Sequence, residues 1–99
     1  MLCALTHRRL KPGAYERFRA AWQPETWPPG WVRAYHVRNV DDEDEVISFG
    51  FFDGTLEELR ARQSAEDYAA MRERTAPLVA SVGVDGVFEV IEEVTPPAG

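Results

Sequence analysis

The sequence predicts an α+β sandwich, in which two helices cover one face of a four-stranded antiparallel sheet. The chain has 99 residues, which suits a single domain. Its apolar residues follow the order strand, helix, strand, strand, helix, strand, which is typical of a ferredoxin-like βαββαβ fold. Both odd and even strand positions carry apolar residues, so helices on one face would leave the other face uncovered. We therefore predict a homodimer that closes sheet against sheet, with one domain at residues 1–95 and a tail at residues 96–99.

A strand and an amphipathic helix are predicted to open the chain. The run Leu2–Leu10 is rich in apolar residues and alternates loosely, which indicates a strand. Tyr15, Phe18 and Trp22 follow at helical spacing, with charged residues on the opposite face. We therefore predict a helix within residues 14–23.

Prolines and acidic residues mark the connections that come next. The prolines between residues 23 and 31 exclude regular structure there, because proline lacks a backbone donor and restricts the preceding residue. Two runs with strand character, residues 31–40 and 46–52, flank the acidic segment 41–45. This pattern predicts an antiparallel hairpin with a solvated turn.

The second half of the chain predicts a helical region and a final strand. Thr55 stands three residues before a glutamate, which is the spacing of a capping box. After a step near Ser64, apolar residues at helical spacing extend to about Ser81, with a kink or restart at Pro77. A glycine at position 83 is placed to end the helix, and the last strand is predicted at about residues 86–94.

Composition and charge exclude several classes of partner. The net charge of −6 disfavours nucleic acid and anionic membranes, and no apolar run approaches the ~20 residues that span a bilayer. Cys3 is the single cysteine, so we expect no internal disulfide and a cytoplasmic location. His7 and His36 lack the spacing to other ligands that metal sites favour, and the sequence has no glycine-rich phosphate loop. We therefore expect neither a metal nor another cofactor.

Aromatic side chains predict a binding site for a flat, hydrophobic small molecule. Trp22, Trp27 and Trp31 surround the proline-rich loop, where their rings can form the wall of an apolar pocket. Tyr68 and Arg72 lie one helical turn apart, so one helix face can present a phenol and a guanidinium together. The alternative is that the tryptophans cap the core, the tyrosine is packed and the arginine is solvated.

His36 is the candidate catalytic residue. It lies in the middle of the predicted second strand, and an imidazole with an ordinary pKa of about 6.5 can accept a proton at neutral pH. The alternative is a half-exposed strand histidine without a role in chemistry.

Taken together, the element order and two local segments resemble the antibiotic-biosynthesis monooxygenase-like superfamily. The segments are Lys11-Pro12-Gly13, before the aromatic-bearing helix, and Phe51-Phe52-Asp53-Gly54, before the acidic helix start. The resemblance covers residues 2–94 and implies a dimeric α+β barrel. It also implies a cofactor-independent monooxygenase that acts on an aromatic or polyketide-type metabolite. The alternative is a non-catalytic homodimer that binds a hydrophobic small molecule or serves as a stress-related accessory protein.

The chain departs from the haem-degrading members that it resembles. Its first strand lacks their asparagine, its third strand ends in Phe51-Phe52 rather than tryptophan, and residues 57–74 contain no histidine. These departures exclude haem degradation. The constellation of quinone-forming oxygenases does not map onto this sequence either, since Asn39 is its only asparagine.

Overall fold

The structure, a computed structural model, describes residues 1–97. These residues form four strands and three helices. In chain order the elements are β1 (Leu2–Leu10), α1 (Tyr15–Trp22), β2 (Trp31–Asn39), β3 (Asp42–Phe52), α2 (Leu56–Gln63), α3 (Glu66–Thr75), a short 3₁₀ turn (Ala76–Leu78) and β4 (Val79–Glu89). The strands form one antiparallel sheet in the order β2-β3-β1-β4. The predicted ferredoxin-like fold is confirmed, while the predicted tail at residues 96–99 lies partly outside the described residues.

The even-numbered residues of β1 and β3 point toward the helices. Leu10 and Val46 are fully buried, and they pack against Ala14 and Phe18 at the start and centre of the first helical segment. Phe52 at the end of β3 is equally buried. The core therefore lies between this face of the sheet and the helices, as a two-layer sandwich requires.

The opposite face of the sheet is apolar, and the helices formed by residues 1–97 do not cover it. Phe49 of β3 lies between Tyr35 and Phe51, with ring centroids 5.3 Å and 6.0 Å away. Tyr35 and Phe88 remain 46% and 48% exposed in the single chain. This face is the surface on which the prediction of a homodimer depends, and the homodimer stays a prediction.

The boundary between α3 and β4 differs from the prediction. The helix ends at Thr75 rather than near Ser81, and β4 begins at Val79 rather than near residue 86. Pro77 explains the early end, because it cannot donate to the carbonyl four residues before it and its ring crowds the preceding turn. Gly83 therefore lies inside β4 rather than ending a helix, and a Cβ there would collide with the ring of the neighbouring histidine.

The acidic segment also differs from the prediction, because β3 starts at Asp42 and includes most of the expected turn. Its carboxylates have partners on the adjacent strands. Asp42 pairs with Arg9 at 2.8 Å, and Glu45 contacts His7 at 3.1 Å and Asn39 at 2.7 Å. These cross-strand pairs extend the hairpin to its tip.

The helical half agrees with the other local predictions. Thr55 forms the predicted capping box, accepting from the backbone of Glu58 at 3.1 Å while that carboxylate accepts from the backbone of Thr55. The predicted step near Ser64 is confirmed, since α2 ends at Gln63 and α3 begins at Glu66.

Candidate functional site

A cavity of about 1210 Å³ lies between the helices and the sheet. All four strands contribute to its wall, together with α1, α2, α3 and the proline-rich loop. Ligand pockets usually enclose about 300–1,000 Å³, so this space is large enough for a polycyclic molecule.

Tryptophans form one side of this cavity. Trp22 ends α1 and Trp31 begins β2, so the loop between them holds Trp27 against both, with ring centroids 5.7 Å and 6.4 Å away. Trp31 in turn packs edge-to-face on Phe52 at 5.2 Å. Gly30 permits this approach, because it has a φ of 104° and any Cβ would collide with the ring of Phe52. The structure therefore brings the three predicted tryptophans together in one wall.

Tyr68 and Arg72 of α3 also line the cavity. The guanidinium carbon of Arg72 stands 5.8 Å from the centre of the Tyr68 ring, and Nη1 lies 3.5 Å from the phenol oxygen. Nη2 of Arg72 also lies 3.7 Å from a carboxylate oxygen of Asp85 on β4. The phenol and the guanidinium thus face the cavity together, and the binding roles predicted for them stay predictions.

Polar side chains lie in register across the sheet, and three of the four line the cavity. Thr6 is paired with Asp85 on one neighbouring strand and with Ser48 on the other, and Ser48 is paired with His36. Thr6 donates to Asp85 at 3.0 Å, and Ser48 Oγ lies 2.7 Å from His36 Nδ1. We call these four residues the polar row. Ser48 is the buried member of the row, and its contact with His36 matters because burying a polar group costs free energy unless it is hydrogen-bonded.

His36 lies behind the cavity wall rather than in it. Trp22 and Ser48 line the cavity, and both contact the imidazole, with the Trp22 ring centroid 4.4 Å away. Tyr15 and Phe18 pack edge-to-face on the same ring. Within residues 1–97, Nε2 is buried and has no hydrogen-bond partner.

The surroundings of His36 keep it neutral. Burial lowers the pKa of His36, and the positive charges of Arg8 and Arg19 lower it further. A neutral imidazole has one nitrogen that can accept a proton. The hydroxyl of Ser48 connects that imidazole to the cavity, so the pair can pass a proton between the cavity and the ring.

Four polar residues of the site, Thr6, Arg8, Ser48 and Asp85, were not predicted from the sequence. Ser48 is 5% exposed and Arg8 is 8% exposed, and neither was a candidate site residue. Both line the cavity. Each is an even-numbered residue on a strand whose other even-numbered residues include buried Leu10 or Val46, but the sequence does not show which strand positions face the helices.

The described residues show neither a metal-binding cluster nor a membrane helix. Residues 1–97 hold no group of three or more His, Cys, Asp or Glu side chains placed to bind a metal ion. None of the helices they form combines the length and apolar character that crossing a bilayer requires. The expectation that the protein uses no cofactor stays a prediction.

Several solved structures share this fold. A candidate antibiotic biosynthesis monooxygenase from Chloroflexus aurantiacus has a TM-score of 0.76 at 16% identity, over 95% of this chain and 96% of that one. One from Deinococcus radiodurans has a TM-score of 0.77 at 9% identity, over 99% of this chain and 100% of that one. A third, from Caulobacter crescentus, has a TM-score of 0.76 at 12% identity, over 92% and 90% of the two chains.

The sequence itself matches no protein-family model and no curated protein. The likeness is therefore one of structure over nearly the whole chain. It confirms the resemblance predicted from the sequence: this chain has the fold of the antibiotic biosynthesis monooxygenase-like proteins.

Proposed function

We propose that this protein is a cofactor-independent monooxygenase for an aromatic or polyketide-type metabolite. The observation that supports it is the polar row beneath a wall of three tryptophans, because this places a proton acceptor next to a surface for a flat ring. The neighbours in the same fold, described as candidate antibiotic biosynthesis monooxygenases, support the reaction class.

The substrate supplies the electrons in this proposal. An electron-rich phenol that loses its proton can reduce O₂ directly, and the ring then forms a bond to one oxygen atom. A ring CH₂ group becomes a carbonyl, and its two hydrogens leave with the second oxygen atom as water, while the imidazole returns the proton that it took from the phenol. The protein contributes orientation on the tryptophans, exclusion of water and a proton acceptor.

His36 is the proposed acceptor, acting through Ser48. The 2.7 Å contact allows the Ser48 hydroxyl to take a proton from a bound phenol while passing its own to the imidazole. The lowered pKa of His36 keeps the imidazole neutral and therefore ready to accept. Its second nitrogen is enclosed by protein, which favours proton exchange through the serine.

The second candidate function is a non-catalytic homodimer that binds a hydrophobic small molecule or serves as a stress-related accessory protein. One observation favours it: His36 is enclosed by Tyr15, Phe18 and Trp22, as a histidine of the core would be. In that case the polar row only stabilises the sheet, and the tryptophan wall binds a small molecule that does not react.

We also propose that two copies associate through their open sheet faces. The apolar side chains around Tyr35 and Phe49 support this, since an isolated chain would leave them in water. The single domain at residues 1–95 and the cytoplasmic location remain part of the proposal, the latter because of the single cysteine.

Oxygen uptake tests the two functions against each other. The purified protein is incubated with anthrone, a tricyclic compound whose ring CH₂ can become a carbonyl, in buffer containing a chelator. A monooxygenase consumes one O₂ for each anthraquinone formed. His36→Gln should slow anthrone turnover by roughly 100-fold while leaving anthrone binding unchanged. His7→Gln is the matched control, and its turnover should be unchanged. Binding without any uptake above the uncatalysed rate would favour the non-catalytic function.

A further inference from the structure

The cavity wall contains an arginine without an anionic partner. Arg8 of β1 is 8% exposed and lines the cavity, and its guanidinium lies 5.2 Å from the centre of the Phe18 ring. Among residues 1–97 it forms no ion pair, and Nη1 is buried without a hydrogen-bond partner. A buried charge of this kind is costly unless an opposite charge compensates for it.

The nearby carboxylate is already engaged. Asp85 accepts a hydrogen bond from Thr6 at 3.0 Å and lies 3.7 Å from Arg72. Burial lowers the pKa of Arg8, the charge of Arg72 lowers it further, and Asp85 and Tyr68 act in the opposite direction. The protein thus holds a guanidinium in its interior, while Asp85, the carboxylate whose charge raises the pKa of Arg8, serves other donors.

The wall as a whole, Arg8 included, carries more arginines than carboxylates. Five arginines and three carboxylates line the cavity, although the whole chain has a net charge of −6. The arginines are Arg8, Arg60, Arg62, Arg72 and Arg74, and the carboxylates are those of Glu25, Asp67 and Asp85. Positive charge concentrated in a cleft of an acidic protein attracts an anion to that cleft.

We propose that the cavity binds an aromatic carboxylate, with its ring on the tryptophan wall and its carboxylate compensated by Arg8. The proposal rests on the proposed function for the ring site and adds the charge of the ligand. A guanidinium suits this role because its planar set of donors matches the geometry of a carboxylate. Arg8 and the wall formed by Trp22, Trp27 and Trp31 then recognise two different parts of one molecule.

A pair of probes of nearly equal shape separates the two parts. Dissociation constants for 2-naphthoate and the neutral 2-naphthamide are measured by isothermal titration calorimetry. The native protein should bind the naphthoate roughly tenfold or more tightly, because a charged hydrogen bond replaces a neutral one. Arg8→Met should bring the two constants within about twofold of each other while leaving naphthamide binding in place. Arg17→Met, on the exposed side of α1, removes the same charge and should keep the preference.

Each other outcome counts against a defined part of the proposal. Equal binding of both probes by the native protein overturns the carboxylate anchor and leaves the aromatic site standing. If Arg72→Met loses the preference for naphthoate and Arg8→Met keeps it, the carboxylate is bound by Arg72 rather than Arg8, and the proposed role of Arg8 is overturned. Failure of both probes to bind overturns the ring site of the proposed function and the anchor with it. If Arg8→Met does not fold, Arg8→Gln is the second neutral variant, with the same loss of preference expected.

Discussion

Replacing Arg8 with methionine should stabilise the ligand-free protein, although it removes the proposed anchor. A buried donor without a partner costs about 1–3 kcal/mol, and Nη1 of Arg8 is such a donor. Against this, the contact of the guanidinium with Phe18 is lost, which is worth about 0.5–1 kcal/mol or somewhat more when desolvated. Methionine keeps the apolar stem and fills a similar space. We therefore expect a net gain of about 1 kcal/mol in the free energy of unfolding.

Thermal unfolding followed by circular dichroism measures this gain. For a domain of this size, about 1 kcal/mol corresponds to a rise in Tm of roughly 4–8 °C. Arg17→Met is the control for the lost charge and should change Tm little, since it alters an exposed side chain. Adding 2-naphthoate should raise the Tm of the native protein more than that of Arg8→Met, because the variant binds this ligand more weakly. A fall in Tm for Arg8→Met would show that the guanidinium is compensated within the fold, and the reasoning from its lone charge would be wrong.

Three further predictions concern His36, the tryptophan wall and the open face. The pKa of His36 is lowered from 6.5 by burial and two arginines, so the unfolded chain binds the proton more readily. The contribution of neutral His36 to the free energy of unfolding is therefore complete above about pH 6.5, and it declines as the pH falls toward the folded-state pKa. Urea unfolding between pH 8 and pH 5.5 should show this decline in the native protein and in His7→Gln, but not in His36→Gln. Trp27 is 44% exposed, so Trp27→Ala should keep the fold and weaken 2-naphthoate binding by roughly 1–3 kcal/mol. If this variant unfolds, Trp27 is needed for the fold rather than for binding. Sedimentation equilibrium at low micromolar concentration should give twice the 11.2 kDa of one chain. Tyr35→Asp should yield single chains, whereas Val40→Asp, at a position 96% exposed on the hairpin tip, should not; a native species of one chain would contradict the dimer.

The fold was predictable because its local signals agree with one another. The helical spacing of Tyr15, Phe18 and Trp22, and the capping box at Thr55, depend only on neighbouring residues. The boundary before β4 was not predictable in this way. Val79 and Val82 fit a helix by spacing, but they pair with Leu10 and Arg8 of β1. That pairing is tertiary, and together with the break at Pro77 it overrides the helical pattern.

The site was predictable only in its aromatic half. The tryptophans are marked by their residue type, whatever side of the sheet they face. Arg8 and Ser48 are recognised as site residues only because they are buried. Their burial depends on which strand positions face the helices. Apolar residues at both odd and even positions leave that question open in the sequence. Only the pairing of Arg8 with Val46, a fully buried neighbour, places the guanidinium on the inside.

The same inward face carries several features that cost folding free energy. Aliphatic residues at the positions of Thr6 and Ser48 would have sealed the sheet, yet these polar side chains line a cavity instead, with His36 behind Ser48. Arg8 adds a charge to that face, where a methionine would pack with less desolvation. Polar groups and an empty volume both reduce stability, and a domain of this length has little stability to lose. Their presence on one face, under one aromatic wall, is explained if a ligand fills the volume and compensates the charge. If Arg8→Met raises Tm while removing the preference for naphthoate, and His36→Gln keeps the fold while slowing the turnover of anthrone, the cost of this face is a consequence of its function.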